Sequence, residues 1–313
     1  MSNIQNDSVL SEIESLAVDV VSGAGEILRG YFGSSITVEY KSENHGDPVT
    51  VADTDSQAYI EQRIFERFPD HEVLGEEDKK SKGFPAPDFV WIIDPLDGTK
   101  NFLNGFPVYA CSAGVLYRGE PVVGAIYLPW PNEAGSMVIH SRKGEGSRFG
   151  QDDMTVLDAG VPLANRLTGL PASLGSSYKP TKNDKARVGE ARVVGSIAYE
   201  MAMTAIGVFQ HSIIAGGRIW DVAGGSSIIL GAGGQVLVGI PKKKRLGVLG
   251  VNTKWQRLES FFPKFERGIT TLEEMRSWAA PLVVGSPKVT EAVATSLSVK
   301  SGVTGRVRRA LNL

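Results

Sequence analysis

The chain has 313 residues, of which 42% are hydrophobic and 22% charged, and its formal net charge is −2 at pH 7. This composition is typical of a globular protein and gives no general reason to expect a nucleic-acid partner. The single cysteine, Cys111, excludes an internal disulfide and fits a reducing compartment. The sequence starts without a secretory signal pattern and has no apolar run near the ~20 residues of a membrane span, so we expect a cytoplasmic protein with no membrane partner.

The first half of the chain predicts helices packed on a mostly antiparallel sheet. Apolar residues recur every three or four positions over 9–32 and again over 59–68, which indicates two amphipathic helices. Turn residues at 117–120 join two apolar runs into a predicted hairpin. The predicted strands are 36–41, 72–75, 89–93, 108–115, 121–127 and 135–141.

The second half predicts an α/β lobe, since short strands and helices alternate along it. The predicted elements are buried strands at 172–176 and 191–194, helices at 196–209 and 221–230, and a strand at 235–238. We therefore expect a metal-binding α+β lobe over 1–160 and an α/β lobe over 161–313.

Three segments of the second half are set apart by composition. An atypical aromatic insertion near 245–280 is too apolar for a free linker and is expected to pack on the body of the protein or on another subunit. The basic stretch 242–245 favours an exposed loop over a nucleic-acid patch, and the basic tail 299–313 is expected to fray.

The most informative stretch is WIIDPLDGTKNF at 91–102. A buried strand ending at residue 93 would deliver Asp94 into a turn where Gly98 permits an unusual backbone angle, so that Asp94 and Asp97 can converge. Two carboxylates that close repel each other unless a cation lies between them. The pattern therefore predicts a site for a hard divalent ion.

Other acidic residues stand at the ends of predicted elements. Asp53 and Asp221 lie at helix N-termini, where an acid also serves as a cap and interacts favourably with the helix dipole. Glu76 follows a short strand and Gly75, which is a firmer position than a loop, although an acidic triplet followed by lysines is usually a solvated turn. For each acid a structural interpretation stands beside the functional one.

Four motifs together resemble the inositol monophosphatase family of metal-dependent, lithium-sensitive sugar and polyol phosphatases. They are DPVTVAD at 47–53, GEE at 75–77, WIIDPLDGT at 91–99 and WDVAGG at 220–225, in the family's order. The resemblance implies a five-layer αβαβα sandwich, with an antiparallel sheet in the first lobe, and a homodimer.

The resemblance also implies a set of metal ligands, carried over residue by residue. Glu76, Asp94 and the backbone carbonyl of Leu96 would hold a first Mg²⁺, and Asp94, Asp97 and Asp221 a second, with a weaker third ion near Glu76. Mg²⁺ prefers oxygen ligands and keeps several waters, so a few carboxylates from separate segments suffice. Two to three Mg²⁺ ions are therefore the expected cofactor.

The catalytic residues implied by the resemblance are Asp53, Thr99 and Glu76. Asp53 would accept the Thr99 proton, and Thr99 would orient a metal-activated water that attacks the phosphate directly. If Gly98 and Thr99 open a helix, their N–H groups would bind the phosphate. The expected substrate contacts are Gly98, Thr99, Gly195, Ser196, Asp221 and Lys41.

Two departures bear on the substrate. Ile214 stands where inositol-phosphate enzymes of the family carry a glutamate, and Lys100 stands where they commonly have threonine. The GFP run at 105–107 instead resembles the inositol and sugar-phosphate branch.

We therefore expect a phosphomonoesterase acting on a small polyol or sugar phosphate such as inositol 1-phosphate. The alternatives are a 3′-phosphoadenosine 5′-phosphate, histidinol-phosphate or fructose-1,6-bisphosphate phosphatase, or a family member that mainly binds another macromolecule. A nucleotide-binding kinase is excluded, because the chain has no phosphate-loop lysine motif.

Overall fold

The computed structural model describes residues 7–35, 38–40, 48–78, 83–150, 152–158, 160–172, 178–180, 189–241 and 253–299. Lys41, the basic stretch 242–245 and the tail from residue 300 onward lie outside the described residues, as does most of the strand expected at 172–176. Of the helices in the described ranges, none combines the length and apolar character that a membrane crossing requires.

The helices of the described residues are α1 (Asp7–Tyr31), α2 (Val51–Arg67), α3 (Thr99–Leu103), α4 (Ile197–Ala205), α5 (Ile219–Gly231), α6 (Leu272–Ser277) and α7 (Pro287–Ser296). The first nine strands are β1 (Val38–Tyr40), β2 (Pro48–Thr50), β3 (Glu72–Gly75), β4 (Phe89–Asp97), β5 (Ala110–Tyr117), β6 (Glu120–Pro129), β7 (Ser136–Arg142), β8 (Gly146–Phe149) and β9 (Asp152–Met154). The remaining strands are β10 (Leu167–Gly169), β11 (Tyr178–Pro180), β12 (Glu190–Arg192), β13 (Phe209–Arg218), β14 (Gln235–Pro241), β15 (Thr253–Arg257), β16 (Ala279–Gly285) and β17 (Leu297–Val299).

Two large sheets carry the fold. A seven-stranded sheet has the order β3-β4-β5-β6-β7-β8-β9, and a six-stranded sheet has the order β12-β10-β13-β16-β14-β15. The first is mostly antiparallel, as the sequence predicts, and it contains one parallel pair, β3 and β4. The second is mixed, with parallel pairs around β10 and antiparallel pairs around β14 and β16.

Helices and sheets alternate in five layers. Helices α1 and α2 cover one face of the seven-stranded sheet, α4 and α5 lie between the two sheets, and α7 covers the outer face of the six-stranded sheet. Both faces of β4 are consequently buried: Trp91 and Ile93 pack toward the first helix layer, and Val90 and Ile92 toward the middle one. A strand covered on both faces reads as a continuous apolar run rather than an alternating one. The expected five-layer αβαβα sandwich is confirmed.

Several predicted boundaries are wrong in instructive ways. Strand β4 does not end at residue 93 but continues to Asp97, with a register shift between Asp94 and Asp97. The helix expected over 196–209 ends at Ala205, and Gly207 has a left-handed φ of 76°, after which β13 begins. The strand expected over 191–194 is present as β12, but its residues are exposed rather than buried.

The described part of the aromatic insertion packs on the body of the protein, which is one of the two placements expected from the sequence. Leu258, Phe261, Leu272 and Met275 belong to the core between the two sheets. Backbone hydrogen bonds tie the segment to the first half of the chain, including Leu272 N–H to Phe84 O at 3.2 Å. The division into lobes at residue 160 stays a prediction, although the two large sheets fall on either side of it.

Candidate active site

The irregular end of β4 (residues 94–97, where the register shifts) and Gly98 form a turn into α3, and this turn holds the first predicted ligand. Asp94 is buried; its Oδ1 accepts a hydrogen bond from Leu96 N–H at 3.1 Å, and its Oδ2 has no hydrogen-bond partner. Gly98 is the N-cap of α3 with a φ of 96°, and a Cβ there would lie 3.1 Å from Val108 O. Glycine is needed at this position because other residues rarely adopt a left-handed backbone. A helix does open at Gly98 and Thr99, which is the condition under which their N–H groups are expected to bind phosphate.

Asp97 connects this turn to the second half of the chain. Its Oδ2 accepts hydrogen bonds from Ser196 Oγ at 2.9 Å and from the Ala198 N–H. Ser196 is the N-cap of α4, and its Oγ also accepts a hydrogen bond from Tyr199 N–H at 3.2 Å. Asp97 therefore lies at the N-terminus of α4, where backbone N–H groups and the helix dipole favour an anion.

Asp221 lies in the first turn of α5. Its Oδ2 accepts a hydrogen bond from Arg218 N–H at 2.7 Å, so the carboxylate caps its own helix as the structural interpretation requires. Burial, followed by the charge of Asp97, raises the pKa of Asp221. The Asp221 charge in turn adds to the effect of burial in raising the pKa of Asp94, so Asp221 is within electrostatic reach of the turn. The capping interpretation is met, and the role of Asp221 as a metal ligand stays a prediction.

Glu76 directly follows β3, and its backbone N–H donates to Ile93 O at 3.0 Å. The loop that carries it is fixed by two side chains that sequence reasoning missed. Asp78 Oδ2 accepts from Gly75 N–H at 2.9 Å, and Gln57 Oε1 accepts from Glu77 N–H at 3.0 Å. The sequence feature that marks this packing is Gly75, because a Cβ at that position would lie 2.4 Å from the Gln57 side chain.

Asp53 both caps a helix and faces Thr99. Its Oδ2 accepts from Thr50 N–H at 2.8 Å and from Thr50 Oγ1 at 2.5 Å in a capping box of α2. Its Oδ1 lies 3.3 Å from Thr99 Oγ1, a hydroxyl that also lies 3.1 Å from Leu96 O. One carboxylate oxygen is thus committed to the helix, and the other is available to the Thr99 hydroxyl.

Burial and mutual repulsion disfavour the charged form of these acids. Burial, followed by the charges of Glu76, Asp97 and Asp221, raises the pKa of Asp94 well above its usual range. Burial raises the pKa of Asp97 to about 7, against the lowering effect of hydrogen bonds from Ala198 and Ser196. Burial likewise raises the pKa of Asp53 to about 6, with a smaller contribution from the Glu76 charge.

As the side chains stand, no group of three or more acids, histidines or cysteines in the described ranges is placed to hold one ion among its members. One oxygen each of Asp97 and Asp221 is turned toward helix N–H groups instead. The chemistry of the donors nevertheless fits a hard divalent cation, because all are oxygens, they repel one another, and the buried Oδ2 of Asp94 has no partner. A cation would satisfy that oxygen and remove the repulsion.

The predicted substrate contacts surround the same turn. Gly195 has a φ of 81° and precedes the Ser196 cap, and Asn101 Nδ2 fixes this junction by donating to Val194 O at 2.8 Å and to Val108 O at 2.7 Å. A cavity of about 410 Å³ opens beside Asp97 and Asp221, and Gly195, Ser196 and the apolar Ile213 and Ile214 line part of it. Asn101 was not identified from the sequence as a residue that supports the site. Lys100 is exposed on α3, and Lys41 lies outside the described residues.

The five-layer sandwich with an acidic turn at the end of β4 fits a metal-dependent phosphatase, and comparison with known proteins shows the family. A model of the inositol monophosphatase family matches residues 9–257. The chain belongs to this family, whose members are metal-dependent hydrolases of small phosphoric monoesters. The matched range includes every site residue named above.

Individual relatives are similar over most of their length. The chain is 32% identical to a fructose-1,6-bisphosphatase/inositol-1-monophosphatase of Aquifex aeolicus, over 77% of this chain and 89% of that protein. It is 31% identical to the inositol-1-monophosphatase of Bacillus subtilis, over 72% and 84% respectively. Among solved structures, the IMPase of Thermotoga maritima shares the fold with a TM-score of 0.66 at 21% identity, covering 95% of this chain and 98% of that one.

Proposed function

We propose that the chain is a Mg²⁺-dependent phosphomonoesterase that hydrolyses a small polyol or sugar phosphate by direct attack of water. The observation that carries the proposal is the set of mutually repelling carboxylates around Asp94, one of which keeps a buried oxygen without a partner. A group of this kind is costly unless cations neutralise it. Family membership supports the phosphatase reaction, and the names of the relatives support the substrate class.

The proposed cation ligands come from three separate segments. Glu76, Asp94 and the carbonyl of Leu96 would hold one Mg²⁺, and Asp94, Asp97 and Asp221 a second, with a third ion near Glu76. When bound, the ions polarise the phosphoryl oxygens, lower the pKa of a water and stabilise the leaving alkoxide. Because the ligands lie on β4, on α5 and after β3, the reaction centre forms only in the folded chain.

Asp53 and Thr99 are proposed to handle the proton of the attacking water. The Thr99 hydroxyl is too weakly acidic to lose its proton near neutral pH, so it cannot act as a strong base alone. It can donate its proton to Asp53 Oδ1 while it accepts one from the water. The pKa of Asp53, raised to about 6 by burial, is close to neutral and suits proton transfer at cellular pH. Glu76 is proposed to act with them as the third catalytic residue.

The phosphate and the leaving group are proposed to bind on opposite sides of Asp97. The backbone N–H groups of Gly98 and Thr99 would hold phosphate oxygens, and Lys41 would add a positive charge. Gly195, Ser196 and Asp221 would contact the leaving group in the adjoining cavity. We further propose a homodimer in the cytoplasm that does not bind nucleic acid.

The test is phosphate release from a panel of phosphomonoesters, measured with Mg²⁺ and with EDTA. We expect turnover of inositol 1-phosphate or a sugar phosphate that disappears with EDTA, and a loss of at least 100-fold in kcat for Asp97→Asn. Full turnover by that variant would contradict the ligand assignment. No metal-dependent release from any ester on the panel would contradict the proposed reaction.

One observation favours a second candidate substrate. One wall of the cavity beside Asp221 carries the apolar Ile213 and Ile214, which cannot bind sugar hydroxyls, although the buried Glu200 also lines the cavity. A flatter, less hydroxylated leaving group, as in 3′-phosphoadenosine 5′-phosphate or histidinol phosphate, fits such a wall. Values of kcat/KM across both substrate classes decide between the candidates.

A further inference from the structure

The loop carrying Glu76 has a third partner, which comes from the aromatic insertion. The guanidinium of Arg276 donates from Nη1 to Gly75 O at 2.5 Å and from Nη2 to Glu76 O at 2.7 Å. Its Nη1 also lies 3.9 Å from Asp78 Oδ2. Two donors of one rigid, planar group therefore fix two consecutive carbonyls of the loop, a geometry that lysine cannot reproduce.

The same guanidinium contacts the second half of the chain. Its Cζ lies 4.9 Å from the centroid of the Trp220 ring, within the range of a cation–π interaction. Trp220 directly precedes Asp221 in the first turn of α5. Arg276 thus touches the residue next to one proposed ligand and the backbone of another.

Helix α6 is well placed to hold Arg276 still. Leu272 and Met275 are buried in the core between the sheets, and Thr271 caps the helix by accepting from Glu274 N–H at 3.1 Å. The side chain of Arg276 is itself only 20% exposed. The match to the family model ends at residue 257, so this contact comes from a part of the chain beyond the match.

We propose that Arg276 is a positioning residue for the divalent cations. It sets the separation between Glu76 and Asp221, because it binds the backbone of Glu76 and the side chain of Trp220, the neighbour of Asp221. The inference rests on the metal-binding part of the proposed function. Arg276 does not touch the cation. It fixes ligands that arrive on two separate segments, the loop after β3 and helix α5, and outer partners of this kind commonly control metal affinity.

The experiment is a calorimetric titration of the metal-free full chain with Mg²⁺, in the absence of substrate. We expect R276Q to weaken Mg²⁺ binding by about tenfold or more, since changes in outer partners typically cost 10- to 100-fold. R276K keeps the charge but loses the planar pair of donors, so its Mg²⁺ binding should be weakened nearly as much. W220F leaves Arg276 a weaker aromatic partner, so its Mg²⁺ binding should be weakened less.

Arg267 provides the matched control. It lies nine residues earlier, its side chain is 75% exposed, and its described ion pair is a 3.8 Å approach to Asp88. R267Q should bind Mg²⁺ as the wild-type chain does. Thermal unfolding of each variant in EDTA separates positioning from stability, because a purely structural Arg276 would lower the Tm without changing the affinity of the folded protein.

The outcomes are distinct. Wild-type Mg²⁺ affinity in folded R276Q and R276K would overturn the role of Arg276 and leave the proposed function standing. No Mg²⁺ binding by the wild-type chain would overturn the proposed function and this inference with it. If R276Q does not fold, R276K and W220F provide the same comparison. Weakened binding in these variants at an unchanged Tm, beside an unaffected R267Q, is the expected result.

Discussion

Replacing Asp97 by asparagine is expected to stabilise the metal-free protein while it removes activity. Burial raises the pKa of Asp97 to about 7, so at pH 8 the folded state must hold a buried charge that the unfolded state exposes to water. Asparagine carries no charge, and its amide oxygen can still accept the hydrogen bonds from Ser196 Oγ and Ala198 N–H. The substitution therefore removes the charge and keeps the helix contact.

The magnitude follows from the difference between the two pKa values of Asp97. Its pKa is about 7 when folded against an ordinary value of 3.8, and each pH unit corresponds to 1.36 kcal/mol. The charged carboxylate thus costs about 4 kcal/mol at pH 8, and Asp97→Asn should recover a large part of this. A raised carboxyl pKa makes folding take up a proton between pH 4 and pH 7, so the wild-type chain loses stability across that range. The advantage of the variant should therefore be small near pH 4, grow as the pH rises from 4 to 7, and level off above pH 7.

The assay is urea unfolding of both proteins in EDTA at pH 4, 6 and 8, beside Mg²⁺ titration and phosphate release. Glu200→Gln is the matched control, because burial raises the pKa of Glu200 to about 8 and the residue is not a proposed ligand. Both variants should gain stability at pH 8, but only Asp97→Asn should lose Mg²⁺ binding. Equal stability of Asp97→Asn and wild type at pH 8 would refute the electrostatic reasoning, and retained turnover would refute the assignment of the site.

Three further outcomes are expected. In the wild-type chain in EDTA, the Tm should fall between pH 4 and 8 as Asp53 and Asp97 ionise. Added Mg²⁺ should raise the Tm more at pH 8 than at pH 5. A Tm that does not change with pH in EDTA would contradict the raised pKa values. Thr99→Ala should lower kcat by about 100-fold, whereas Thr99→Ser, which keeps the hydroxyl, should retain most of it in the phosphate-release assay. Gly98→Ala should destabilise the fold in urea by about 1–3 kcal/mol, and by more than Gly105→Ala, because both have positive φ but only Gly98 lacks room for a Cβ.

Local signals predicted much of the first half of the chain. The strand 72–75 was predicted with its observed bounds, and the turn at 117–120 does join two antiparallel strands. Both follow from short-range chemistry: β-branched apolar runs between turn residues, and a glycine with positive φ at Gly119. The fold and the family were predictable because four motifs kept their order, which no single motif could have established.

The second half was harder for a physical reason. Strand β13 carries Gln210, His211 and Ser212 as fully buried residues, so it shows neither apolar alternation nor a continuous apolar run. Its burial is explained by packing against β10 and β16, which are distant in sequence. The contacts of Gln57 and Asn101 around the site are long-range for the same reason, and no local pattern announces them.

The sequence poses an alternative between helix capping and a role in the site for Asp53 and Asp221, and the two oxygens of a carboxylate leave room for both. In Asp53, Asp97 and Asp221, one oxygen accepts a backbone N–H at the start of α2, α4 or α5. Helix N-termini stabilise negative charge, so these contacts hold the acids near one another without a cation and restrict their orientation. Asp94 has no helix contact of this kind among the described residues, and it is the acid whose buried oxygen lacks a partner. A cation arriving at Asp94 would therefore meet two proposed ligands, Asp97 and Asp221, that α4 and α5 already orient, which is why substitutions of these two acids should appear first in metal affinity.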